Sequence, residues 1–247
     1  MNPPLSHSVA IRQADLHDPA EAARIEAFVA EHGATPFHRP AWLLAIEQGT
    51  GQCALGLVAE RAGVLEGWLP LTEVRSPLFA SALVSSAFGV GGGPLADNET
   101  TSLLLCRAAE ELAQRHAVSS VEIRGGSAPE GWQTITGKHA NFSRPLAADR
   151  EAELLAIPRK ARAEVRKCLQ SPLEIVTGRS TDDLAAFYPC YAASVHNLGT
   201  PVFPRQLFAA VLDHFGEDAD IITAVHNGQA VSSVLSLYHD GGVMPFW

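Results

Sequence analysis

The sequence predicts an α/β chain, with mixed sheets of the α+β kind, folded as two similar units in tandem. Three observations carry this. Short β-branched runs alternate with stretches of helical apolar spacing along all 247 residues. Two hairpin turns, Arg61-Ala62-Gly63 and His226-Asn227-Gly228, interrupt strand pairs in the same way. A shift of 165 residues then lays one turn on the other without a gap. Thr35, Pro36, Ala45, Gly51, Ala54, Ala59 and Gly63 fall on Thr200, Pro201, Ala210, Gly216, Ala219, Ala224 and Gly228, seven identities across 29 positions, where chance gives about two. Leu43 meets Phe208, and Leu57 meets Ile222.

The elements follow in order. Residues 9–12 read as a strand, and 19–32 as a helix stopped by Gly33. Pro40 opens a short helix to residue 48. Residues 54–60 and 64–73 are two strands. A glycine-rich loop covers 88–94, and Asn98 or Thr100 caps a helix to about His116. A strand is expected at 118–124, a helical turn at 129–134, a last strand at 141–146 and a junction at 149–155. The pattern then restarts. Helices are expected at 159–169, 181–195 and 205–215, and strands at 173–177, 219–225 and 230–239, with another beginning at 242. The expected units are 7–150 and 151–247. The second has used about 75 residues by Trp247 where the first takes about 140, so it is expected to be incomplete at its C-terminal end. A shortened second unit is the alternative.

Composition bounds the function. The apolar fraction is 47% and net charge is −9, which excludes disorder and a general nucleic-acid coat. The chain is not expected to bind DNA. Cys53, Cys106, Cys168 and Cys190 form no CxxC pair, so buried free thiols are expected and no metal site. MNPPLSHSVAIRQ has neither the charged nor the apolar region of a signal peptide. The weakly polar run at 76–95 is too rich in Gly, Pro and Ser for a membrane span. A cytoplasmic location is therefore expected. Oligomeric state leaves no signature.

One stretch opposes the acidic balance. RKARAEVRKC, residues 159–168, holds five of the 18 basic residues. On a helix Arg159, Arg162 and Arg166 share one face and Lys160 and Lys167 a neighbouring stripe. Ala161, Val165, Cys168 and Leu169 line the opposite side, so the helix is expected to dock there and present its cations outward. Such a face suits phosphate or carboxylate oxygens; a solvated face is the alternative. In SVHNLGTPVFP, residues 194–204, His196 is a candidate catalytic base and Asn197 a candidate substrate contact; a simple helix end is the alternative. Tyr238 is a candidate general acid or donor, or else an aromatic packed near a sheet edge. The loop FGVGGGPLADNE, residues 88–99, is either a substrate-side loop or a tight connection; it is neither a GxGxxG nor a P-loop motif. No GxSxG elbow or HExxH pair exists. Amide formation between an amine and an activated acyl group needs no protein nucleophile.

TPFHRPAWL (35–43), FGVGGGPLA (88–96), RKARAEVRKC (159–168) and SVHNLGTPVFP (194–204) together resemble the FemAB-like family, most closely its branch associated with PEP-CTERM/exosortase envelope systems. The resemblance covers nearly the whole chain. It implies two acetyltransferase-like (GNAT) units in tandem. It implies transfer of an acyl or aminoacyl group from acyl-CoA or aminoacyl-tRNA to an amine of a cell-envelope or exopolysaccharide precursor. Arg159, Lys160, Arg162, Arg166 and Lys167 are then candidate contacts for the precursor's diphosphate. Charged tRNA is a further candidate partner, although the long helical arm of some Fem enzymes is absent. The [RQ]xxGx[GA] loop of acyl-CoA binders is not found up to Trp247; the resemblance implies a place for it after the hairpin strands of the second unit, just past Trp247, so no donor-binding residue is assigned. No permanently bound cofactor is expected. A noncatalytic module holding an anionic glycan precursor or a partner protein is the competing expectation. RNA binding would need more cations and aromatics than Trp42, Trp68, Trp132 and Trp247 supply.

Overall fold

The computed structural model describes residues 8–76 and 80–247. His7, the expected start of the first unit, and residues 77–79 of the weakly polar run lie outside them. The chain begins with β1 (Ala10–Gln13), α1 (Pro19–Glu31), a 3-10 turn (Pro36–His38) and α2 (Pro40–Thr50). There follow β2 (Cys53–Arg61), β3 (Val64–Val74), β4 (Ala82–Val84), β5 (Leu95–Ala96), α3 (Glu99–Arg115) and β6 (Ser120–Glu122). Two helices, α4 (Arg150–Ala156) and α5 (Arg159–Leu169), lead to β7 (Glu174–Gly178), α6 (Thr181–Asn197) and α7 (Arg205–Phe215). A second 3-10 turn (Gly216–Asp218) precedes β8 (Ala219–His226), β9 (Gln229–His239) and β10 (Gly242–Pro245).

The offset of 165 holds in three dimensions. It carries the bounds of α2 onto those of α7, and the bounds of β3 onto those of β9. The β2–β3 ladder shifts register between Ala59 and Glu60, and the β8–β9 ladder between Ala224 and Val225, the same place in the repeat. Both hairpin turns use two left-handed residues: Ala62 and Gly63 at φ 51° and 81°, Asn227 and Gly228 at 50° and 76°. A bulge and a primed turn at matching sites give both hairpins the same twist.

The first sheet runs β1-β2-β3-β4-β6, with β5 on β3, and is mixed because β4 and β6 are parallel. The second runs β10-β9-β8-β7, antiparallel throughout its described strands. Alternation along each strand sends side chains to two faces. Leu55, Leu57, Leu69 and Leu71 pack outward on Leu105, Ala109 and Leu112 of α3. Val58 and Trp68 of the first sheet and Ala219, Ile221, Leu235 and Leu237 of the second all face one core, shared by α1, α2, α6 and α7. At its centre α2 lies on its own counterpart α7. A Cβ on Gly49 would sit 2.4 Å from the Leu207 Cα. Gln206 donates to the Gln48 carbonyl (3.2 Å), and His214 Nε2 bonds the Gln48 side chain (2.8 Å). Arg39, over the Phe215 ring, bridges Glu26 and Asp218.

Several expectations need correction. Residues 141–146 form no strand. Arg144 pairs with Glu153, which folds this stretch onto α4, and Phe142 and Leu146 are left exposed without a strand to pair with. Residues 129–134 hold a single turn, Trp132 N–H to the Pro129 carbonyl at 3.1 Å. The junction is helical instead: Asp149 caps α4 by accepting from Ala152 N–H. The short β4 and β5, in a Ser- and Gly-rich stretch, escape pattern reading. All four cysteines are free, but only Cys106 is buried; Cys53 and Cys168 are exposed. The apolar stripe of α5 does not dock: Ala161, Cys168 and Leu169 are exposed and Val165 is half-buried.

One carboxylate makes the fold sensitive to acid. Glu73 is buried at the end of β3, where it accepts from His116 Nδ1 (2.8 Å) at the end of α3 and from Arg75 Nε. Burial pushes its carboxyl up, but the bonds and charges of His116 and Arg75 outweigh this and hold it below the usual range. A depressed carboxyl contributes stability above its unfolded value, and the contribution is lost as pH falls through the lower folded value. Glu73→Gln is expected to cost about 1–2 kcal/mol at pH 7. Urea unfolding at successively lower pH should show the gap from wild type closing below about pH 4.

Candidate functional site

The seam between the two halves is built on the TPFH turn. Trp68 Nε1 donates to the His38 carbonyl (2.7 Å). The His38 ring is buried, with Nε2 on the Gly93 carbonyl (3.1 Å) and Nδ1 receiving Thr35 N–H (3.2 Å). A carbonyl can only accept, so the proton sits on Nε2. Burial pushes the imidazole pKa down. His38 is thus a neutral brace for the glycine loop.

That loop is a tight connection. Ser86 donates to the Phe37 carbonyl, and Arg124 Nη1 donates to the Gly89 (2.8 Å) and Ser86 (3.4 Å) carbonyls. A Cβ on Gly92 would meet Ser86 Oγ at 2.2 Å, and one on Gly93 the Gly125 carbonyl at 2.5 Å. Only the tip faces outward: Val90 is exposed and Gly91 has open space beside it. Past their parallel pairing, β4 and β6 stay closed by Ser85 N–H to the Glu122 carbonyl (2.9 Å) and Arg124 N–H to Ser85 Oγ (2.8 Å). The start of α3 is occupied by the Asn98 cap and flanked by Asp97 and Glu99, which repel a diphosphate.

The connection from α6 to α7 touches this loop. Tyr188 Oη donates to the Phe203 carbonyl (2.9 Å), Phe203 N–H donates to Tyr191 Oη (3.2 Å), and the Phe203 ring stands 5.3 Å from that of Phe88. His196 and Asn197 sit exposed in the last turn of α6, where backbone bonds from Leu198 and Gly199 close the helix. Their side chains do not perform the capping.

The other candidates lie apart. Tyr238 is on the central strand β9, not at an edge, and donates to Asp220 Oδ2 (3.0 Å). Burial and then the Asp220 carboxylate raise its pKa, so it holds its proton at neutral pH. The second Asp220 oxygen and Nε2 of the adjacent His239 are buried without partners among the described residues. Tyr238 alternates with Leu237, which faces the helices, so it lies on the opposite face of the second sheet from α6 and His196. On α5, Arg162 is turned back: its guanidinium donates to the Ile157 (2.9 Å) and Leu155 (2.8 Å) carbonyls and closes the end of α4. This corrects its expected outward role. Lys167 pairs with Glu164 at the surface (2.9 Å). The side chains of Arg159, Lys160 and Arg166 are exposed and bond no protein group among the described residues.

Asp220 was not singled out by sequence reasoning. The repeat carries the missing signal. Asp220 and Tyr238 fall on Leu55 and Glu73, so the second unit places an acid where the first has a leucine. Two shallow grooves among the described residues, about 390 Å³ beside His17, Glu47 and Cys53 and about 410 Å³ between Leu57 and Arg107, contain none of the candidate residues.

Residues 158–247 match the family model of the acetyltransferase (GNAT) domain. None of the curated proteins matches the chain. Among solved structures it is similar to FemX, with 17% identity over 82% of this chain and 56% of that one, at a TM-score of 0.56. It therefore spans little more than half the length of that protein. It is also similar to a tandem GNAT protein from the clavulanic acid biosynthesis pathway (13% identity, 95% of this chain, 76% of that, TM-score 0.45). A third is a ribosomal-protein-alanine N-acetyltransferase from Brucella melitensis biovar Abortus 2308 (16% identity, 56% of this chain, 99% of that, TM-score 0.38). The fold is a tandem GNAT-like α/β arrangement, shared with FemX.

Proposed function

We propose that this chain belongs to a FemAB-type transferase of an envelope system of the PEP-CTERM/exosortase kind, acting in the cytoplasm. Its units are residues 7–150 and 151–247. It moves an acyl or aminoacyl group from acyl-CoA or aminoacyl-tRNA to an amine of a cell-envelope or exopolysaccharide precursor. The amine nitrogen attacks the donor carbonyl, the amide C–N bond forms, and the C–S or C–O ester bond breaks. The amine's proton is lost, and the thiol or ribose hydroxyl leaves protonated.

The observation that carries this reading is the packing of two matching units through α2 and α7, within a fold shared with FemX. Tyr238, kept protonated beside Asp220, is the general acid for the leaving group. His196 and Asn197 lie across the sheet and serve the acceptor side. Arg159, Lys160 and Arg166, helped by Lys167 once it is released from Glu164, meet the precursor's anionic group.

The test is titration with radiolabelled acyl-CoA and charged tRNA in the presence of amine-bearing precursors. Tyr238→Phe is expected to keep donor binding and lower kcat about 100-fold; an unchanged kcat removes Tyr238 from the reaction. Absence of donor binding would favour the second reading, a noncatalytic module for an anionic glycan precursor or a partner protein. The closed β4–β6 edge is the observation on that side.

A further inference from the structure

Residues 142–169 bring exposed apolar side chains and a run of cations together on one stretch. Phe142, Leu146, Leu155 and Leu169 are exposed apolar side chains, Phe142 at 94%. The α5 helix carries five cations and one acid in a chain whose other residues are 13 basic and 26 acidic. Its apolar stripe lies opposite Arg159, Lys160, Arg166 and Lys167 and is largely open: Ala161, Cys168 and Leu169 are exposed and Val165 is half-buried. Arg162 ties α5 to the end of α4, and Arg144 ties the preceding stretch to Glu153 of α4. Leu146, Leu155 and the helix are therefore joined in one surface unit.

We propose that this α4–α5 unit docks on an anionic lipid bilayer, with α5 in the plane of the interface. Among the described residues no helix is long and apolar enough to cross a membrane, but a helix of this kind lies on one. Its apolar stripe enters the acyl boundary, and its arginines and lysines stay at headgroup level. Charge complementarity selects the bilayer surface. The basic helix is drawn to anionic headgroups while the acidic remainder is repelled, which orients the molecule with residues 142–169 toward the lipid. Nucleic acid matches the cations but leaves the uncovered stripe unused. Eleven residues span about 16 Å, so the apolar face is small and attachment needs both signals together. The proposal does not depend on the transfer reading, because an inactive chain would bind in the same way.

Co-sedimentation with vesicles tests it. The chain is expected to pellet with phosphatidylcholine–phosphatidylglycerol vesicles, not with pure phosphatidylcholine, and to be released by salt. Each cation contributes about fivefold. The triple variant Arg159→Gln/Lys160→Gln/Arg166→Gln should therefore bind roughly 100-fold more weakly, with its urea midpoint unchanged because all three side chains are exposed. Val165→Ser/Leu169→Ser should lower vesicle binding but leave its salt dependence in place. The idea is overturned by equal binding to both vesicles, by no binding to either, or by a triple variant that binds as wild type. It is also overturned if polyuridine displaces the protein at concentrations that leave the lipid charge unscreened.

Discussion

Trp42→Ala is expected to lower unfolding free energy by about 3–5 kcal/mol, much of the roughly 5–15 kcal/mol that holds a domain together. The indole is fully buried and donates from Nε1 to the Ala87 carbonyl (3.1 Å). Its ring meets Phe37 edge-on at 4.7 Å and stacks on Trp247 at 5.6 Å, with Phe215 and Phe246 around it. Truncation removes apolar area, leaves a cavity and strips a buried carbonyl of its donor. Trp42→Phe keeps most of the ring and loses the bond, so about 1–2 kcal/mol is expected. Urea midpoints of the three proteins measure both steps. A loss below about 1 kcal/mol for the alanine variant would mean that the aromatic cluster is not packed as described.

Gly49→Ala sets two effects of opposite sign against each other. In mid-helix, alanine is favoured over glycine by about 1 kcal/mol. Here the new methyl would sit 2.4 Å from Leu207 Cα, 3.0 Å from its nitrogen and 3.2 Å from the Gln206 carbonyl. All three are backbone, so no side chain can swing away, and α2 and α7 must separate. Overpacking of this kind costs about 1–3 kcal/mol or more, and the clash should win with a net loss of about 2 kcal/mol. His214→Ala on the facing helix removes only the bond to Gln48 and should cost under about 1 kcal/mol. If Gly49→Ala proves stabilising, the helices are further apart than the fold requires.

How much of this could be read beforehand depends on where the information lies. Local signals were sufficient for α5 and α7, whose bounds follow from Pro158 and Pro204 before them and from Ser171-Pro172 and Gly216 after them. The hairpins were legible because Gly63 and Asn227-Gly228 supply the left-handed turns. Residues 141–146 failed because alternation describes a strand's faces but not its partner, and the Arg144–Glu153 pair pulls the segment elsewhere. Position on the chain could not place Tyr238 across the sheet from His196; that needs register. The same holds for Arg162, whose face on the helix was read correctly but whose guanidinium turns back to carbonyls seven and five residues earlier. Asp220 became visible only once the two units were aligned and compared for difference rather than identity.

The shared core has a consequence for motion. Many two-unit proteins open like a book, hinging at a polar interface that water can enter cheaply. Here the spine of the book is Trp42, Phe208, Leu207 and Ile46, all fully buried in one cluster. Parting the covers would wet that spine at a cost comparable to unfolding. Slow breathing between the halves is therefore closed to this molecule as a route for ligand entry. Exchange should be fast and local at the exposed tips, Val90 and Val202, while the amides of α2 and α7 remain protected.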